Sequence, residues 1–219
     1  RRIIAIDCEM VELAYGRETV IHLSAVDFLS GEVQIDQIVA PPVMERVTDY
    51  RTGFTGETSE SIASAIGKRK CILSLVSARA ALASFMDSDT ILVGFSVHHD
   101  LEALRFSHLN IVDFQLLYST AFHGKTIGLR KAFEAYFPND KIQNHGPSAK
   151  SHVCLEDVMA ARELVLFWIE KKGQVEILSA AEARERYEEE RLAEEQAWED
   201  AENNCFPTDD DPPGYGWMG

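Results

Sequence analysis

The chain has 219 residues, 46% of them hydrophobic and 26% charged, which suits one domain with a sizeable core and is too short for two large ones. No run of about eighteen apolar residues occurs, so a membrane-spanning helix is excluded. The formal charge of −15 is uneven: 14 of the 36 acidic and three of the 21 basic residues fall in residues 173–219, which therefore carry −11 and leave −4 on residues 1–172.

Ile3, Ile4 and Ile6 make residues 3–7 a short buried strand. Residues 19–29 alternate, with Val20, His22, Ser24 and Val26 on one face and Ile21, Leu23 and Ala25 on the other, and predict a second strand. Ser30-Gly31 is a turn signal, residues 33–39 return as a third strand, and Pro41-Pro42 ends this antiparallel meander. Residues 49–60 are polar and contain Gly, and predict a loop. Leu75, Val76, Ala78, Leu82 and Phe85 predict a helix over 73–86. A buried strand over 90–93 ends at Gly94; a helix follows over 98–106, a strand over 109–112 and a helix over 127–137. A loop over 141–150 leads to a long helix over 152–171, striped by Leu155, Met159, Leu164, Val165 and Trp168. Three strands followed by alternating helices and strands predict an α/β class, with a mixed five-stranded sheet and helices on both faces. Beyond Gly173, Ser179 is placed to cap an acidic helix over 180–201, and the Pro/Gly/Asp-rich residues 203–219 predict disorder in isolation. The expected division is a domain of residues 1–172 and an acidic extension of residues 173–219.

The opening Arg1-Arg2-Ile3-Ile4-Ala5-Ile6 has neither the apolar stretch nor the cleavage site of a secretory signal. It also lacks Met, so the chain is expected to be part of a longer protein. Cys8, Cys71, Cys154 and Cys205 show no C-x-x-C pair and no zinc spacing, which predicts free thiols in an intracellular, reducing compartment.

Three acidic clusters stand at positions where chemistry is possible. Asp7 and Glu9 are two apart in a strand, so both carboxylates point to one side. Asp100 follows a buried strand and falls in the first turn of a helix. Asp157 stands on the last helix, five residues after His152. Taken singly, these read as a solvated strand edge, a favourable acid at a helix N-terminus and a surface histidine. Taken together, Asp7, Glu9, Asp100 and Asp157 are four hard oxygen donors that suit Mg²⁺ or Mn²⁺. Two such ions, roughly 3.5–4 Å apart, clamp an in-line attack on phosphorus, and His152 is placed to act as general base.

Ala5-Ile6-Asp7-Cys8-Glu9-Met10-Val11 resembles the first motif of the DEDDh 3′→5′ exonuclease family, in particular its eukaryotic RNA exonuclease group of interferon-stimulated and nucleolar enzymes. Val47-Thr48-Asp49-Tyr50-Arg51-Thr52 with Gly56 resembles that group's D-Y-R-T loop. Residues 93–104 resemble the second motif and Asp113 the acid of the strand that follows. Lys141-Ile142-Gln143 with His152, Glu156 and Asp157 resembles the third motif, and the spacing of five is the "h" signature. The likeness covers residues 3–170. It implies a ribonuclease H-like fold and release of nucleoside 5′-monophosphates from a 3′-hydroxyl end. It also implies single-stranded RNA 3′ ends as the partner and a nuclear or nucleolar location. The sequence departs from the group at Phe95, His99 and Gly53, positions that bear on substrate preference and not on metal ligands.

Met10, just past the metal site, is a candidate to pack on the terminal sugar or base, or else a core residue. Arg51 is a candidate for a phosphate or ribose contact, or else a solvated cation. The acidic extension is expected either to solubilise, to dock a basic protein partner, or to fold back over the cleft. A DNA 3′→5′ exonuclease and a catalytically silent binding module are the competing functions; the complete ligand set argues against the second.

Overall fold

The computed structural model describes residues 2–143 and 152–171. Its sheet is built on strand β1 (Ile3–Leu13), which pairs antiparallel with β2 (Glu18–Asp27), itself antiparallel to β3 (Val33–Ile38). On its other edge β1 pairs in parallel with β5 (Ile91–Gly94), which pairs in parallel with β6 (Ile111–Asp113). The order is β3-β2-β1-β5-β6, and a short sixth strand, β4 (Val47–Asp49), pairs antiparallel with the far end of β1. The expected mixed sheet is therefore present, with β4 added to the five strands the sequence predicts.

Helices α3 (Leu75–Ala83) and α4 (Val97–Leu104) cover one face, where Ile4, Ile6 and Cys8 meet Ala78, Leu82, Leu101 and Leu104. Helices α5 (Phe114–Ala121), α6 (Leu129–Tyr136) and α7 (Cys154–Lys171) cover the other, where Ala5, Val26 and Val93 meet Phe114, Phe133, Val158 and Leu164. A smaller core of Val11, Ile21 and Ile62, with Tyr50 against it, seats helix α2 (Ser59–Gly67), which follows the short helix α1 (Thr52–Thr55). The alternation at the start of β1, with Ile4, Ile6 and Cys8 to one side and Ile3, Ala5, Asp7 and Glu9 to the other, is what lets a single strand serve both layers.

Three expectations are revised. β1 runs on to Leu13, well past the predicted end at residue 7, because Val11 and Leu13 are buried and paired despite the intervening Glu9 and Glu12. A shift of register between Glu9 and Met10 leaves Ile21 as the extra residue on β2 and accommodates the run. Residues 49–60, predicted as loop, hold α1 and the start of α2, whose Thr58 and Ser61 form a reciprocal capping box. Phe114–Ala121 is helical although no helix was predicted there; Asp113 caps it by accepting from the Gln115 amide. The helix expected over 180–201, the disordered end over 203–219, the domain boundary at 172 and Cys205 lie outside the described residues. Cys8, Cys71 and Cys154 are free thiols. Among the described residues no helix is long and apolar enough to cross a membrane.

Candidate active site

The edge of β1 that faces β5 is paired only at its two ends. β5 leaves β1 after the Ala5–Val93 register pair, and β4 joins only at Glu12. In the gap, the Cys8 amide is free to donate, and it donates to Asp100 Oδ1 at 2.9 Å. A carboxylate carried by α4 on one face thereby reaches the level of the sheet between Asp7 and Glu9, which point to the opposite face. This is the crevice beyond the C-terminal end of a parallel strand where α/β sheets place ligands.

The turn that delivers Asp100 is tightly specified. A Cβ at Gly94 would stand 2.7 Å from Val97 Cγ2 and 2.9 Å from the Ile6 carbonyl oxygen, so only glycine lets α4 begin this close to β1. Ser96 is left-handed at φ 58°. Asp113 holds that conformation by accepting from the Ser96 amide at 3.0 Å, the Val97 amide at 2.9 Å and the Gln115 amide at 2.9 Å.

On the other face, α7 begins beside β1, where the Cys154 thiol donates to the Asp7 carbonyl at 3.1 Å. Asp157, one turn on, is 2% exposed. Its oxygens accept from Gln143 Nε2 at 3.1 and 3.0 Å and lie 3.0 Å from His152 Nδ1. Gln143 also donates its amide to Glu156 at 2.7 Å, which fixes the segment before the third acidic cluster. Glu9, 7% exposed, completes the group: ligand atoms of Glu9, His152 and Asp157 all lie within 4.8 Å of one another. Asp7 and Asp100 stand beside this trio and not within it.

Charge is poorly balanced here. Burial raises the Asp7 carboxyl well above the ordinary range, and the charges of Asp100, Asp157 and Glu9 push it further. Burial likewise raises Asp100. Glu9 is pushed up to about 7, chiefly by burial, with His152 and His22 opposing and Asp157 and Glu57 adding to the shift. His152 is raised above its ordinary value by its hydrogen bond to Asp157. Among the described residues no lysine or arginine pairs with any of the four carboxylates. Buried carboxylates gathered without a lysine or arginine among the described residues are the donor chemistry of a divalent-cation site, and hard oxygen ligands match Mg²⁺ or Mn²⁺. Behind Glu9, its cross-strand partner His22 is bracketed by Asp36 at 2.9 Å and Glu57 at 3.5 Å, which ties the α1–α2 segment to the sheet.

No family model matches the chain. It is 33% identical over 184 residues to small RNA degrading nuclease 2 of Arabidopsis thaliana, covering 80% of this chain and 36% of the relative. It is 30% identical over 179 residues to the putative RNA exonuclease pqe-1 of Caenorhabditis elegans, covering 82% of this chain and 10% of the relative. The chain is a homologue of the DEDDh RNA exonuclease group. It spans about a third or less of the length of the relatives it matches. The fold matches the exonuclease module of Saccharomyces cerevisiae Pan2, solved with AAGGAA RNA, at a TM-score of 0.67 and 17% identity, covering 88% of this chain and 32% of that one. The Neurospora crassa Pan2 catalytic unit matches at a TM-score of 0.66 and 20% identity, covering 78% of this chain and 27% of that one.

Within this exonuclease homologue, Met10 is half-buried against the core beneath α3 and α4. Arg51, left-handed at φ 48°, is ion-paired to Glu18 at 2.5 Å and faces Glu12 at 3.7 Å. Phe95 stacks on Phe114 in the α5–α7 layer. His99 is exposed against His98 and lines a cleft of about 370 Å³ with Arg17 and Arg105. Gly53 is exposed in α1. Two contacts escaped the sequence reading of site residues. Gln143 was visible as part of the third motif, yet nothing in its spacing shows that its amide holds Asp157. Phe54, whose carbonyl accepts from the His152 amide at 2.6 Å, gave no signal at all.

Proposed function

We propose that the domain, taken as residues 1–172, is a metal-dependent 3′→5′ exonuclease that removes nucleoside 5′-monophosphates from the 3′ end of single-stranded RNA. The observation that carries this reading is the convergence of Asp7, Glu9, Asp100 and Asp157 from three distant segments, beside His152 and without a lysine or arginine partner among the described residues. In this reading Asp7, Glu9, Asp100 and Asp157 would hold two Mg²⁺ or Mn²⁺ ions, which would lower the pKa of the attacking water and offset charge on the phosphate. Asp157 holds His152 Nδ1, so Nε2 is the nitrogen that receives the water's proton. Met10 packs on the terminal sugar, and Arg51 exchanges a carboxylate for a phosphate. RNA, in preference to DNA, is supported by the names of the relatives. A nuclear or nucleolar location is an expectation from the same group. The acidic extension of residues 173–219 is assigned to a basic protein partner, on the ground of its −11 charge.

The test is a 5′-labelled single-stranded oligonucleotide, as RNA and as matched DNA, in Mg²⁺, in Mn²⁺ and in chelator. A metal-dependent ladder that shortens from the 3′ end, faster on RNA, is expected, and Asp7→Ala or Asp157→Ala is expected to abolish it with the fold intact. Near wild-type cleavage by either variant sinks the ligand assignment.

A further inference from the structure

The tip of the β1–β2 hairpin carries a tyrosine where the backbone favours a smaller residue. Tyr15 is left-handed at φ 65° and Gly16 follows at φ 69°. The Leu13 amide closes the turn by donating to the Arg17 carbonyl at 2.7 Å. Glycine, asparagine and aspartate fill left-handed positions with least strain, and a bulky ring is an outlier there. At 97% exposure the ring contributes nothing to the core. A strained, fully exposed aromatic is a reason to look for what it touches.

Cations gather beside it. Arg17, His99 and Arg105 line the cleft of about 370 Å³ at the foot of the hairpin, facing Glu18 and Glu102. Arg105 ends α4 in a left-handed conformation at φ 49°, and its guanidinium has no partner among the described residues. Arg17 holds an exposed pair with Glu45 at 2.7 Å, and such a pair is weak enough to be exchanged for a phosphate. The cleft adjoins the acidic site along two elements. Helix α4 brings His99 to the cleft and Asp100 to the site. Strand β1 runs from Glu9 to Leu13, the foot of the hairpin, over about 13 Å.

We infer that the hairpin tip is a second contact for the RNA strand, upstream of its 3′ end: Tyr15 stacks a base, and Arg17 and Arg105 hold the phosphates beside it. This rests on the function proposed above and deepens it. The planar fork of arginine matches phosphate oxygens, and stacking uses the π-face that every base possesses. The contact therefore grips a strand without reading its sequence. A strand gripped upstream is not lost with each released nucleotide, and one too short to reach the hairpin is cut poorly.

The test uses the full chain and its Tyr15→Asn, Tyr15→Trp and Arg105→Asn variants, each checked for wild-type thermal unfolding. Asparagine tolerates the left-handed backbone at both positions, so the turn survives loss of the side chain. Each protein is assayed in Mg²⁺ on a dinucleotide and on a single-stranded RNA of about 12 nucleotides. Wild type should prefer the longer strand through KM, and Tyr15→Asn should shrink that preference roughly 5- to 100-fold, with Tyr15→Trp restoring it. Binding of the longer strand is read separately by anisotropy in Ca²⁺. There Arg105→Asn should lessen the slope of log affinity against log salt by about 0.7, the share of one single-strand phosphate contact. A length preference and a salt slope as large in the variants as in wild type overturn the hairpin contact. If wild type does not cleave, the function proposed above has failed, and the anisotropy of Tyr15→Asn and Arg105→Asn against wild type decides on the hairpin alone.

Discussion

Glu9→Gln should make the metal-free protein more stable at pH 8 while removing its response to divalent metal. The Glu9 carboxyl is raised from 4.5 to about 7. Between those values the folded chain keeps a proton that the unfolded chain has released, so stability is greatest below pH 4.5 and falls as pH rises to 7. Above pH 7 the whole cost is present, about 3 kcal/mol for a shift of this size at 1.36 kcal/mol per unit. Glutamine keeps the shape and never ionises. Its advantage over wild type in chelator should therefore grow by about 2 kcal/mol between pH 5.5 and pH 8. That is a rise of about 4–8 °C in the difference between the two unfolding midpoints for a domain of this size. Excess Mg²⁺ should reverse the order, because wild type gains stability by binding the ion and the variant gains less. The assay is thermal unfolding across that pH range, in chelator and in Mg²⁺. A variant less stable than wild type in chelator at pH 8, or a difference that stays flat with pH, would refute the view that Glu9 is held charged at a cost offset by a cation.

Gln143→Ala removes two of the contacts that orient Asp157 and leaves the one from His152. Loss of such a support should weaken metal dependence or activity about 10- to 100-fold, read as the Mg²⁺ concentration giving half-maximal cleavage. Asp113→Ala strands the amides of Ser96, Val97 and Gln115. It should cost about 1–3 kcal/mol per group left buried and unsatisfied, measured by urea unfolding, with Asp113→Asn recovering part. Gly94→Ala drives a Cβ against Val97 Cγ2 and the Ile6 carbonyl oxygen. It should destabilise by about 1–3 kcal/mol; adding Val97→Ala should relieve only the side-chain half, and full relief would show that the backbone contact is not limiting.

The carboxylates were legible because each obeys a local rule. Asp7 and Glu9 share a face by the two-residue period of a strand, and Asp100 and Asp157 fall in first turns of helices. Their meeting was legible only through the resemblance, since no local pattern brings α4 and α7 to one strand from opposite faces. The alternation of residues 19–29 and the stripe of residues 152–171 marked β2 and α7 well, because burial on one side dominates both. The continuation of β1 to Leu13 was hidden by acids at Glu9 and Glu12, which break the apolar pattern: Glu9 stands in the acidic cluster and Glu12 faces Arg51. Helices α1, α2 and α5 were hidden for another reason. They are short and rich in Ser, Thr and Gly or continuous with a strand, and α2 and α5 begin on side-chain caps at Thr58 and Asp113. Phe54 was invisible because its partner, His152, is distant in sequence and the bond runs through a backbone carbonyl.

The gap in the edge of β1 has a consequence for biosynthesis. Asp100 fills it from α4, yet Asp157 arrives only with α7, the last element described. A chain emerging from the ribosome begins to fold from its N-terminal side. It can lay down β1, β2 and β5 and seat α4 long before α7 is made, and at that stage it holds three of the four carboxylates and lacks His152. If the site is the nuclease proposed above, the enzyme is harmless to the message that encodes it until nearly the whole domain has left the exit tunnel. Release of α7 is then the moment at which it becomes able to cut.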